Sequence, residues 1–331
     1  MHLRDGREMR AVILHTARRF ARAVVMPNLE PPITTTNLAM AYRRRILAAL
    51  PKRTKFEPLM TLYLTGKTKP EEIVKAKQSG IIHGVKYYPA GATYHSDYGV
   101  SDLEKCFAVL EEMQKRDMPL LLHGEVTDPE VDVFDREKVF IERVLSRVTQ
   151  RFPRLRIVFE HITTRDAVEY VKSAPDNIAA TITVHHLLLN RNAIFSGGLR
   201  PHHYCLPVLK READRQSLIK AATSGNPKFF LGSDSAPHSR NAKEAGCGCA
   251  GIFSAHAAIE LYAEAFEQAG ALDKLGAFAS FHGADFYRLP RNTDKIMLAQ
   301  RNWTISRTLR FGKKSLVPLR AGETIRWQLV E

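Results

Sequence analysis

Nowhere in these 331 residues does an apolar run reach the roughly 18 residues that a membrane-spanning helix needs, so no transmembrane segment is expected. Cysteine is scarce too. Of Cys106, Cys205, Cys247 and Cys249 only the last two are close, and a single C-x-C without a second pair at zinc-finger spacing makes no metal finger. The four read as reduced thiols of a cytoplasmic protein. The opening Met1-His2-Leu3-Arg4-Asp5-Gly6 carries no apolar h-region, which argues against a secretory signal. Arg18, Arg19 and Arg22 give the first helical stretch a basic look, but Asp5 and Glu8 inside it speak against a transit peptide.

Acidic residues are the scarcer charge: 35 Asp and Glu stand against 49 Lys and Arg, a net +14. Such a balance raises nucleic acid or an anionic small molecule as partner. The basic residues are scattered, however, and the densest run, Arg43-Arg44-Arg45, lies in a helix-like stretch (37–50) where it reads as a solvated face. No basic and aromatic residues interleave as in a single-strand binding platform. Nucleic acid is therefore not expected, and a carboxylate substrate is.

Hydrophobic residues make up 44% of the chain, enough for a large core, and no linker or low-complexity tract divides it. A single domain over 1–331 is expected. One rhythm recurs: a short apolar run, a polar residue, a loop, then an amphipathic stretch. The runs are 23–26, 59–64, 84–88, 120–122, 157–159, 179–184 and 229–231. Runs of this kind read as strands covered on both faces, and their alternation with helical patterns implies a parallel sheet. Ser101 and Glu104 have capping-box spacing at the start of one helical stretch, and 137–152 forms another. Seven strands are one short of an α/β (β/α)8 TIM barrel, and the missing first strand would end at His2.

The residues within and just after these runs carry the chemistry. Lys86 lies inside one, while His123, His161 and Asp234 come just after the ends of three others. In a (β/α)8 barrel these positions and His2 converge on one pocket. Taken singly, a strand-end histidine is more often structural, Lys86 would snorkel to the surface, and Asp234 would cap a helix. Taken together they form a nitrogen and oxygen donor set suited to zinc. A buried ammonium beside a cation is costly, and carboxylation of Lys86 would turn it into a carboxylate able to bridge two metals. His15, His83, His95, His256 and His282 lack such a context and read as structural or surface residues; His185-His186 and His202-His203 are ambiguous.

The segments HLRDG (2–6), VVMPNLEPPITT (24–35), VKYYPAGAT (85–93), LLLHGEVTD (120–128), VFEHITTRDA (158–167), GGLRPHHYCLPVLKR (197–211), LGSDSAPHSR (231–240) and CGCAG (247–251) resemble bacterial-type (class II) dihydroorotases of the amidohydrolase superfamily over essentially the whole chain. The resemblance implies zinc-dependent, reversible hydrolysis of L-dihydroorotate to N-carbamoyl-L-aspartate in pyrimidine biosynthesis. It implies two Zn2+ per chain bridged by N6-carboxylated Lys86, with His2 and Asp234 on the first metal and His123 and His161 on the second. It makes Asp234 the catalytic proton shuttle. Arg4, Asn28 and His238 would grip the substrate carboxylate, Leu206 and Ala250 would offer backbone contacts, and Thr93 would sit on a loop that closes over the substrate. Tyr94 stands where the family commonly has a second threonine. A homodimer is also implied.

The family opens with an apolar strand and His-x-His, whereas here Met1 holds the middle position and the first histidine is absent. Two expectations arise: a natural chain that starts earlier than Met1, or a degenerate copy kept as a scaffold or partner. A hydantoinase-like cyclic amidase is the remaining enzymatic alternative, against which Arg4, Asn28 and His238 speak.

Overall fold

The computed structural model describes residues 1–330. Seven strands, β1 (Arg22–Val25), β2 (Glu57–Tyr63), β3 (Ile82–Tyr87), β4 (Leu120–Leu122), β5 (Ile157–Phe159), β6 (Ile178–Ile182) and β7 (Phe229–Leu231), form one sheet in sequence order. Every neighbouring pair is parallel. Each apolar run read as a strand is one, with ends displaced by no more than a few residues.

The strands need apolar residues on both faces because both are covered. Met26, Leu121, Val158, Ala179 and Phe230 pack into one small cluster inside the curved sheet. Their alternate neighbours, among them Leu120, Leu122, Ile157 and Phe159, join the large core shared with the surrounding helices. Lys86 stands in register with Leu121, which in turn stands beside Val158, so the lysine belongs to the inward set.

The helices begin where short polar side chains satisfy free N–H groups. Asp5 caps α1 (Gly6–Ala17), Thr35 caps Thr36–Ala49 and Thr164 caps Arg165–Ser173. The Ser101/Glu104 capping box does not form. Asp102 is the cap instead, accepting from Glu104 N at 3.0 Å, and a short 3-10 turn (Leu103–Cys106) precedes the helix Phe107–Lys115. In the 136–151 helical stretch one turn, Ile141–Leu145, widens to π geometry. Arg44 and Arg45 are exposed, as a solvated face requires. No helix among the described residues is long and apolar enough to cross a membrane.

The sheet does not close. Among the described residues β1 and β7 are its edges, and Met1 and His2 span the gap between them at the carboxyl ends of the strands. The Met1 ammonium donates to Val24 O (3.0 Å), Met1 O accepts from Met26 N (3.0 Å), and His2 N donates to Ser235 O (2.9 Å). The first two bonds are those of a parallel neighbour of Val25. Met1 is thus a single residue of an eighth strand. Beneath it lies a cavity of about 820 Å³, walled by Ala23 and Val24, Phe230, Ile259, Ala279 and Trp327, and reaching up to His161 and Asp234. The chain ends in two antiparallel ribbons: β8 (Met297–Thr304) with β11 (Thr324–Val330), and β9 (Leu309–Phe311) with β10 (Lys314–Leu316). Ile325 and Trp327 of β11 join the large core.

Candidate active site

At the carboxyl ends of the strands neighbouring segments pass close to one another, and two glycines permit it. A Cβ on Gly124, directly after His123, would lie 2.1 Å from the Phe159 ring; one on Gly232 would lie 2.3 Å from Thr181 Cβ. Two side chains of the site sit on left-handed backbone that non-glycine residues rarely adopt: His161 (φ 46°) and Asp234 (φ 37°). Thr181 Oγ1 accepts from His161 N at 2.7 Å and holds the first of these turns. Strain of this sort collects at functional sites.

The five candidate residues lie around one cavity. His2, Lys86, His123, His161 and Asp234 surround one small cavity of about 20 Å³, together with Arg4, Asn28, Thr93, Leu206 and Ala250. The His123 and His161 rings are 4.9 Å apart. His2 Nδ1 lies 2.8 Å from Asn28 Oδ1 and its Nε2 lies 3.0 Å from Asp234 Oδ1. With a proton on Nδ1, the Nε2 edge and the carboxylate face each other either across a second proton or across a shared cation. Asp234 does not cap a helix; the segment after it runs extended to the helix Arg240–Lys243. Burial alone would raise its carboxyl pKa, but the hydrogen bond to His2, with His161 and His185 nearby, holds it below the usual range. Burial lowers His2, and burial together with Lys86 holds His161 far below its ordinary value, so both imidazoles offer lone pairs at neutral pH.

These residues fit a metal. His161 Nδ1 is buried without a hydrogen-bond partner, the state of a ligand atom in the absence of its ion. His123 Nε2 is engaged by Glu125 Oε2 at 2.9 Å, and Lys210 Nζ lies 3.9 Å from the other carboxylate oxygen, the kind of outer partner that orients a ligating imidazole. Lys86 is almost wholly buried, forms an ion pair with Glu160, and has its Nζ 4.9 Å from the centre of the Tyr88 ring. Three histidines, an aspartate and a strand lysine are a hard-to-borderline donor set suited to zinc.

Arg4, which also lines the cavity, is fixed by three contacts. Its Nε donates to Pro237 O (3.0 Å), an η-nitrogen donates to His238 Nε2 (2.8 Å), and its guanidinium lies 5.2 Å from the Tyr94 ring centre. Burial, with Arg4 beside it, pushes His238 down to about 2, so it accepts that bond as a neutral imidazole. Asn28 Nδ2 donates to Tyr94 O at 3.1 Å. The Tyr94 ring stacks on His95 (3.9 Å) and meets His238 edge-on (4.6 Å). The 92–99 segment therefore closes the cavity, and a space of about 20 Å³ holds no more than a water or so.

Sequence reasoning missed Glu160, Glu125, Tyr88 and His95. Glu160 and Glu125 stand within two residues of ligands in Phe159-Glu160-His161 and His123-Gly124-Glu125, and that adjacency was the available signal. His95, read as structural or surface, lies over the site with its Nδ1 3.4 Å from Asn28 O. Nothing local distinguishes it; only the loop's return brings it there.

A parallel α/β barrel whose strand ends present this ligand set defines a metal-dependent amidohydrolase. No protein-family model matches the chain. It is 67% identical over 331 residues to a dihydroorotase of Nitrosomonas europaea, covering 99% of this chain and 95% of that one. It superposes with TM-score 0.91 and 38% identity on a Campylobacter jejuni dihydroorotase crystal structure, covering 100% and 94% of the two chains. A Saccharomyces cerevisiae dihydroorotase in complex with 5-fluoroorotic acid matches with TM-score 0.90 and 34% identity over 100% and 95%. The chain belongs to the dihydroorotase family, hydrolases that act on cyclic amides. Neither the hydantoinase-like nor the scaffold alternative is favoured by identities this high.

Proposed function

We propose that the chain catalyses the zinc-dependent, reversible hydrolysis of L-dihydroorotate to N-carbamoyl-L-aspartate in pyrimidine biosynthesis. The observation that carries this reading is the convergence of His2, Lys86, His123, His161 and Asp234 around one cavity that Arg4, bonded to His238, also lines. A candidate metal-binding set beside a guanidinium suits a cyclic amide that bears a carboxylate.

His2 and Asp234 would hold one zinc, His123 and His161 a second, and carboxylated Lys86 would bridge them. Bound zinc supplies a water with pKa near 7 and polarises the amide carbonyl. Carboxylation joins the Lys86 amine to carbon dioxide and releases protons; Glu160 balances the ammonium beforehand. Asp234, ionised, accepts the proton of the attacking water and delivers it to the ring nitrogen as the C–N bond breaks. The products are a new carboxylate and a ureido group. Arg4 and His238 orient the substrate carboxylate, while Leu206 and Ala250, which line the cavity, would offer backbone contacts. Asn28 joins them once the 92–99 segment moves, since its amide is now committed to Tyr94 O. Thr93 sits on that segment and its N–H is held by Ser96 Oγ at 2.9 Å. A homodimer of single-domain chains acting in the cytoplasm completes the reading.

The test is dihydroorotate hydrolysis by the purified chain with zinc and bicarbonate. Turnover is expected, and Asp234→Ala should lose about 10²–10⁴ in kcat, the usual contribution of a positioned proton-transfer group. Unchanged kcat in Asp234→Ala would remove the mechanism. A folded, zinc-loaded chain with no turnover would overturn the proposed activity.

A further inference from the structure

A second cluster of donors lies outside the five strand-end ligands. His185 and His186 stand on the short helix Val184–Leu188 that leaves β6, and Cys205 stands on the segment that carries Leu206. All three are buried, and one donor atom from each lies within 4.8 Å of the others. His185 is wholly shielded from solvent, yet neither of its ring nitrogens has a hydrogen-bond partner. Buried polar atoms are rarely left so unless a water, an ion or a ligand meets them.

The other members are held in place. His186 Nδ1 lies 2.6 Å from Thr183 Oγ1 and its Nε2 lies 3.1 Å from Pro207 O. Cys205 Sγ donates to the same Pro207 oxygen at 3.2 Å and lies 4.0 Å from His186 Nε2. In a zinc tetrahedron built from bonds of about 2.0–2.3 Å, neighbouring donors are about 3.3–3.7 Å apart. Donor atoms up to 4.8 Å apart have to draw together by up to about an ångström.

We propose that His185, His186 and Cys205, with the carbonyl oxygen of Pro207 as fourth donor, bind a structural divalent cation of the zinc class, distinct from the hydrolytic centre. Two imidazoles and a thiolate are the ligands such an ion selects, and four protein donors leave no open position for catalysis. Binding forms an S–metal bond and breaks the S–H bond, whose proton leaves to solvent. His186 Nε2–H now donates to Pro207 O; on binding, the proton would shift to Nδ1 and be donated to Thr183 Oγ1, which turns the Nε2 lone pair to the ion. Burial keeps the two imidazoles neutral at neutral pH, which readies them as ligands. The ion ties the helix after β6 to the segment bearing Leu206. Its value for substrate binding rests on the proposed function; its binding does not.

The five strand-end ligands include no thiol, so a thiolate signal separates the two sites. Chelator-stripped protein titrated to saturation with Co2+ should develop a thiolate-to-cobalt charge-transfer band, beside the thiol-free absorption of Co2+ held by the strand-end ligands. The band should persist in the Cys247→Ser/Cys249→Ser variant and vanish in Cys205→Ser. His185→Asn keeps the thiol and should weaken Co2+ binding on the order of tenfold or more. It also decides the matter if Cys205→Ser fails to fold. A band absent from the parent chain, surviving Cys205→Ser, or unchanged in affinity in His185→Asn would overturn the proposal. Loss of hydrolysis with the band intact would count against the proposed function alone.

Discussion

The charge at the site is set by single side chains and their immediate partners. Arg4 has its Nε and one η-nitrogen committed to Pro237 O and His238, which aims the remaining donors at the cavity. Lysine cannot reproduce that planar fork. Arg4→Lys should therefore raise KM for dihydroorotate with little change in kcat, a loss of about 1.5–3 kcal/mol in kcat/KM typical of a hydrogen bond to a charged group. Steady-state kinetics check this; a fall confined to kcat would move Arg4 from positioning to chemistry. At this scale much was legible from residue type: a lysine within an apolar run and histidines after strand ends have few other uses in combination. The inner partners were not. Glu160 is an ordinary carboxylate in the sequence and becomes the counter-charge of Lys86 only because β3 and β5 flank the same interior.

At the scale of elements, hydrophobic period did most of the work, because a parallel sheet covered on both faces demands apolar runs and little else does. Helix starts were less legible. Asp102 took the cap from Ser101 because its shorter reach to Glu104 N suits a tight 3-10 entry. A different device secures the segment after β5. Glu137, wholly buried, accepts hydrogen bonds from the backbone N–H groups and hydroxyls of both Thr163 and Thr164, at 2.5–3.0 Å. These two threonines come after His161 and open the helix Arg165–Ser173. Glu137→Ala should cost on the order of 4 kcal/mol, since each buried donor left unmet costs about 1–3 kcal/mol. Glu137→Gln should cost less, because an acceptor oxygen remains. Urea denaturation measures both, and equal loss in the two variants would show that charge rather than hydrogen bonding matters.

A property of the whole molecule is its acid lability. Burial, with Arg19 and His15 nearby, pushes His256 down to about 3, and burial brings His15 to about 4. Unfolded histidine titrates near about 6.5. Between these values the unfolded chain binds more protons, so this stability is complete above about pH 6.5 and is lost as pH falls toward 4 and 3. The urea midpoint should drop across that window, and less steeply in His15→Gln/His256→Gln; an unchanged slope would assign acid lability to other groups.

The sequence by itself determined the strands, the parallel order and the ligand types, because burial on both faces and metal affinity are properties of residue kind and spacing. It also carried the family resemblance, since whole motifs were intact. Only the tertiary structure decided which groups touch. Whether His95 lies over the site, whether Tyr94 fills the cavity, and whether Cys205 meets His185 and His186 depend on how loops return across the barrel mouth. Those paths are set by packing between residues far apart in the chain, to which local pattern is blind.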